Sequence, residues 1–173
     1  LTGGDPFDQT EFSLAILKAM KKSGIHTAIE TCLLTGRKEL ESLLPFVDMF
    51  LVDLKLHEPS KHREYTGASN ELIKENFAWL ARNHGSILVR IPIIPGYTDT
   101  EDNLRAIGRY VAGIEPKIPI ELVNFNPLAR DKYVVLGEDY ALKRVDSVVS
   151  PERMEHLRQL VAETGATVGV ESG

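Results

Sequence analysis

Cysteine is almost missing: Cys32 stands alone in 173 residues. One thiol excludes an internal disulfide and any internal metal site built from three or four cysteines. No apolar run is long enough to cross a bilayer, and no charged-then-apolar leader opens the chain, so a soluble, cytoplasmic protein is expected. Positive charge is also in short supply, with 20 Lys and Arg against 25 Asp and Glu and a net charge of −5. With no clustered basic stripe, nucleic acid is not an expected partner. The five histidines show no paired metal spacing, and no Gly-x-Ser-x-Gly, Walker or Rossmann fingerprint occurs. Repeats, low-complexity tracts and an interdomain linker are absent, so residues 1–173 are expected to form a single domain. An initiating Met is missing too. The chain opens at Leu1 on a glycine-rich motif, which reads as a piece of a longer protein.

What is present alternates. Phe12, Ile16 and Ala19 lie at helical spacing between Phe7 and Lys22, stopped by Ser23-Gly24. Ile25 to Glu30 predicts a strand. Leu40, Leu43, Leu44 and Val47 mark a helix broken by Pro45, and Met49 to Leu54 reads as a strand buried on both faces. A helical turn follows Pro59 and ends at Thr66-Gly67. A further helix carries Leu72, Ile73, Phe77 and Leu80, with Asn70 as its expected N-cap. Ile87 to Ile94 is a strand in which Pro92 suggests a bulge or strand end. A helix follows from Thr100 to Val111, then a strand from Ile118 to Val123. Asn124 to Ser150 is a long irregular segment, of the kind that carries function. Ser150 and Pro151 open a last helix, and Ala166 to Val170 closes with a strand. Such alternation predicts an α/β fold: parallel strands with right-handed crossovers and outer helices, as in a TIM-like barrel or part of one.

In such folds ligands bind at the carboxyl ends of the strands. Glu30 and Thr31, Asp53 and Lys55, Arg90, and Asn124 and Asn126 all fall there. Asp53 and Lys55 are two apart, so a strand turns both to one face and presents a carboxylate beside an ammonium. That suits a zwitterionic ligand. Each residue also has an ordinary reading: a rim ion pair for Asp53 and Lys55, a helix cap for Glu30, turns for Thr2 to Pro6 and for Asn126, and a small buried thiol for Cys32.

In order, the pieces resemble one family. Thr2-Gly3-Gly4-Asp5-Pro6 is similar to the Gly-Gly-Glu-Pro motif of radical S-adenosylmethionine (SAM) enzymes, with Asp for Glu. Gly24-Ile25-His26-Thr27 leading to Glu30-Thr31, the run Phe50 to Lys55 with its Asp53-Leu54-Lys55, Pro95-Gly96-Tyr97-Thr98-Asp99, and Gly137-Glu138-Asp139-Tyr140 resemble segments of glycyl radical enzyme activating enzymes, in particular the pyruvate formate-lyase type. Thr31-Cys32-Leu33 departs from the family's Thr-Asn-Gly, which implies a differently shaped first loop. The resemblance covers nearly the whole chain and implies the C-terminal portion of a partial (β/α) radical SAM barrel. It implies that Gly3, Gly4 and Asp5 hold the amino group of S-adenosylmethionine, that Glu30 lies near its ribose, and that Asp53 and Lys55, with Leu54 between them, address its amino and carboxylate groups. Asn126 stands where the family often has a His near the adenosine. The family's chemistry needs a [4Fe–4S] cluster on a Cys-x3-Cys-x2-Cys loop, which this chain lacks. The loop is therefore expected upstream of Leu1, and the chain itself is expected to hold no metal, to be inactive and to self-associate. For the parent, a glycyl radical enzyme is the implied protein substrate and flavodoxin or ferredoxin the implied electron donor. Two other readings compete: a cluster-free barrel used as a binding module, and an aldolase-like lyase with Lys55 as Schiff base, against which stands Asp53 beside that lysine.

Overall fold

The computed structural model describes residues 1–126 and 148–169. Five parallel strands run in chain order across one sheet: β1 (Ala28–Thr31), β2 (Met49–Asp53), β3 (Ile87–Ile93), β4 (Pro119–Asn124) and β5 (Thr167–Val168). The helices are α1 (Thr10–Lys22), α2 (Arg37–Leu43), α3 (Pro59–Thr66), α4 (Glu71–Asn83), α5 (Glu101–Ile114) and α6 (Pro151–Ala162). Neighbouring parallel strands joined by crossovers of one hand place their helices on one side of the sheet. This is the predicted α/β architecture, a partial barrel with its helices outside.

The core lies between that helical layer and one face of the sheet. Phe50, Val52, Val89, Ile91 and Ile120 meet Leu17, Leu40, Phe77, Ile107 and Leu157 there. On the other face Met49, Leu51, Leu88 and Arg90 are only half-buried. The expectation that β2 is covered on both faces is therefore wrong: its burial alternates, because helices cover one side alone.

Other expectations are corrected by local detail. A 3-10 turn over Pro6–Gln9 precedes α1 and sets its phase. Ser13 and Leu17 face inward, whereas Phe12 is 62% exposed. Ser13 can be buried because its hydroxyl donates to Pro6 O at 2.8 Å. Asn70 precedes α4 but makes no cap; its amide donates to Leu56 O and His57 O instead. Pro92 sits inside β3 without a bulge, paired with Val123. Arg90 O accepts from Leu54 N at the end of β2. Pro92 therefore faces that same edge beyond the end of β2, where no N–H is required. β1 begins at Ala28 rather than Ile25. The Leu136 to Tyr140 stretch and Val170 lie outside the described residues.

Among the described residues, no helix is long and apolar enough to cross a membrane.

Candidate functional site

The chain's first residues run along the free edge of β1. The Leu1 amine donates to Ala28 O, and Glu30 N–H donates to Leu1 O. This lays Thr2 alongside Glu30, and its hydroxyl donates to Glu30 Oε2 at 2.7 Å. Gly3 and Gly4 then turn the chain over the carboxyl end of β1 with φ of +93° and +113°, a region glycine enters without strain. An added Cβ at either would meet nothing within 4 Å, so both backbones stand open to the cleft.

Past that turn, the Asp5 carboxylate is fully engaged by the protein. It accepts from Phe7 N at 3.1 Å, Thr31 Oγ1 at 2.9 and 3.0 Å and Cys32 N at 2.9 Å, and Cys32 Sγ lies 3.3 Å away. It thus fastens the glycine turn to the end of β1. Burial first, then the negative charge of Asp5, pushes the Cys32 thiol above its ordinary range. The next residue, Leu33, is fully buried with φ +59°, a left-handed conformation that glycine adopts freely.

At the carboxyl end of β2 and just beyond it, Asp53 and Lys55 stand together, with Lys55 Nζ 3.3 Å from Asp53 Oδ2. Burial raises the Asp53 carboxyl above its usual range, and the Lys55 ammonium opposes that rise. In register beside Asp53 lies Arg90, and beside Arg90 lies Glu121. Arg90 reaches diagonally across β2 to Glu30, its Nη1 donating to Oε1 at 2.8 Å. Its Nε lies 3.1 Å from Glu121 Oε2, a charge contact without hydrogen-bond geometry.

One cleft of about 270 Å³ gathers Thr2, Gly3, Gly4, Asp5, Glu30, Thr31, Cys32, Asp53 and Lys55. Six of the sequence-predicted residues thus line a single opening: Gly3, Gly4, Asp5, Glu30, Asp53 and Lys55. Leu54 turns away into the core, and Asn126 is exposed and outside the lining. Asn124 pins Val149 with both ends of its amide, donating to Val149 O at 2.7 Å and accepting Val149 N–H at 3.0 Å. Sequence reasoning missed Thr2, which carries no motif signal of its own, and missed the part of Glu121. The signal for Glu121 was a lone carboxylate within the apolar run Ile118 to Val123. Of the histidines, His62 is buried and bonds Ala68 O and Thr66 Oγ1 within α3 and its end.

Comparison with known proteins gives a consistent result. The model of the Radical SAM superfamily matches residues 1–106. An isethionate sulfite-lyase activating enzyme of Oleidesulfovibrio alaskensis is 36% identical over 98% of this chain and 54% of its own length. A 4-hydroxyphenylacetate decarboxylase activating enzyme of Clostridium scatologenes is 32% identical over 92% of this chain and 51% of its own. The chain spans about half the length of these curated relatives. In fold, it matches a domain of a pyruvate-formate lyase-activating enzyme from Bacteroides vulgatus with a TM-score of 0.79 at 24% identity, over 99% of this chain and 97% of that one.

Proposed function

Because this chain belongs to the Radical SAM superfamily, we propose that its cleft binds S-adenosylmethionine as part of a glycyl radical enzyme activating enzyme. The observation that carries the reading is the convergence of the bared Gly3-Gly4 backbone, Glu30 and the Asp53–Lys55 pair on one cleft. The donor set fits the cofactor. Asp53 offers a carboxylate to its ammonium, Lys55 an ammonium to its carboxylate, and Glu30 a carboxylate to its ribose hydroxyls. Asp5 contributes differently from the sequence expectation: its oxygens are taken by Thr31, Cys32 and Phe7, so it holds the glycines whose backbone meets the amino group.

The same residues do not fit a [4Fe–4S] cluster. Three thiolates are required, the chain has one cysteine, and Cys32 Sγ already lies against Asp5. The activity we propose therefore belongs to a protein longer than this sequence: reductive cleavage of S-adenosylmethionine to a 5′-deoxyadenosyl radical that takes a hydrogen atom from a glycine of the partner. The chain alone is proposed to be inactive. Flavodoxin or ferredoxin is the proposed electron donor and the cytoplasm the proposed location. A partner of the pyruvate formate-lyase type rests on the motifs around Asp53 and Pro95. Relatives of 30% identity or more are named for an isethionate sulfite-lyase, a choline trimethylamine-lyase, a sulfopropanediol dehydratase and a 4-hydroxyphenylacetate decarboxylase, which supports a glycyl radical enzyme partner without choosing among these types.

Calorimetry with S-adenosylmethionine tests the reading on this chain. Saturable binding that Lys55→Met weakens is expected; no saturable heat, or unchanged affinity in the variant, would refute it. After anaerobic treatment with iron and sulfide, the chain should form no deoxyadenosine above background, and turnover would refute the proposed inactivity.

The Schiff-base reading of Lys55 is disfavoured because its Nζ is ion-paired with Asp53 at 3.3 Å.

A further inference from the structure

Past Leu54 the chain leaves the sheet, and its backbone groups need other partners. They find side chains. Lys55 O accepts from Asn103 Nδ2 at 3.1 Å, and His57 N–H donates to Asn103 Oδ1 at 2.8 Å. Asn70 Nδ2 donates to Leu56 O and His57 O, and Lys74 Nζ donates to His57 O. Asn103 alone among these side chains also reaches the next loop, donating to Thr98 O at 3.0 Å. It is buried in the first turn of α5, beneath Thr100, whose hydroxyl accepts Asn103 N–H.

The far side of that bridge is a closed turn. Thr98 Oγ1 accepts Ile94 N–H at 2.8 Å and donates to Pro92 O. Gly96, at φ +78°, donates its N–H to Asp99 Oδ1 at 2.8 Å, and Tyr97 and Thr98 N–H both return to Ile94 O. The Pro95 to Asp99 motif contributes no residue to the cleft lining. What it contributes is a fixed carbonyl, Thr98 O, at the end of β3.

We infer that Asn103 is a positioning residue: its amide ties the loop that carries Lys55 to the Pro95–Asp99 turn and so sets the direction in which Asp53 and Lys55 meet the cofactor. An asparagine suits the place because one planar group supplies the acceptor for His57 and two donors for the carbonyls of Lys55 and Thr98. The inference rests on the reading that the cleft takes S-adenosylmethionine, so one of its tests is independent of that ligand.

Asn103→Ala is compared with Met154→Ala, a buried core change on α6 that lowers stability away from the cleft. Asn103→Ala should weaken S-adenosylmethionine about tenfold while Met154→Ala leaves affinity within about twofold. It should also move the Asp53 titration, followed by carbon-13 NMR, upward as Lys55 drifts from it, and Met154→Ala should not. Equal effects of the two variants on affinity overturn the inference. If the unsubstituted chain binds no S-adenosylmethionine, the cofactor reading falls and the Asp53 titration decides: moved by Asn103→Ala alone, the positioning role stands; unmoved, it is refuted. Should Asn103→Ala not fold, Thr98→Val, which loosens the turn from its other side, is read by the same two measurements with the same outcomes.

Discussion

Glu30 is gripped by Arg90 from two strands away: Oε1 accepts from Arg90 Nη1 at 2.8 Å, across the top of β2. The same guanidinium faces Glu121, which is 7% exposed. One cation thus fixes the carboxylate on the cleft and supports another beneath the sheet's inner face.

Arg90→Gln removes that cation and leaves two carboxylates facing its former place. The contact with Glu121 is nearly buried on the glutamate side and the pair with Glu30 about a quarter to a third exposed, so the loss should lie between surface and buried values, at about 1–3 kcal/mol. Urea unfolding at pH 7 should show a drop near that size, and a change under about 1 kcal/mol would place the pair among exposed bridges of little worth.

Asp53→Asn should separate binding from stability. The folded state raises the Asp53 carboxyl above its usual range, chiefly through burial. The native protein therefore holds that proton more readily than the unfolded chain. Stability falls as pH rises from about 3.9 through the raised value, and the full cost is present above it. The variant should melt higher than the parent at pH 7, yet bind S-adenosylmethionine roughly tenfold to a hundredfold more weakly, the worth of about 1.5–3 kcal/mol for a hydrogen bond to a charged group. A lower melting temperature would contradict the burial argument.

Asp48 has the opposite sign. Lys21 and the backbone and hydroxyl of Thr27 hold its carboxyl well below the usual range. Its contribution is present above the unfolded value and is lost as pH falls through the depressed folded one. Asp48→Asn should melt lower than the parent at pH 7, and the gap should narrow below about pH 4. A gap constant with pH would show that the charge is not responsible.

Leu33→Gly sets two effects against each other. Relief of the left-handed backbone is worth about 1–2 kcal/mol. Emptying a fully buried leucine site costs about 2–5 kcal/mol. Cavity formation should win, with a net loss of roughly 2 kcal/mol on chemical denaturation. Net stabilisation would mean that the pocket collapses around the glycine.

The alternation of strands with helices and the carboxyl ends of the strands were legible in the sequence, because apolar runs alternate with helical spacing and the charged residues stand where those runs stop. The cleft was legible through Asp53 and Lys55 for the same reason, and through Gly3 and Gly4 by the resemblance of their motif. What was hidden depends on reach and phase. Arg90 is a long side chain whose partners, Glu30 and Glu121, lie 60 and 31 positions away in sequence. The buried face of α1 was misread because the 3-10 turn at Pro6 shifts its start and a bonded serine takes an inward place. Asn70 read as an ordinary N-cap and Asn103 drew no reading, since only three-dimensional structure shows which carbonyls lack a ladder.

Asn124 holds both polar groups of Val149, so the chain leaving β4 and the chain entering α6 are stapled together at their feet. Through this one side chain the start of α6 follows the end of β4, so a change at Asn124 would be felt at the first turn of that helix.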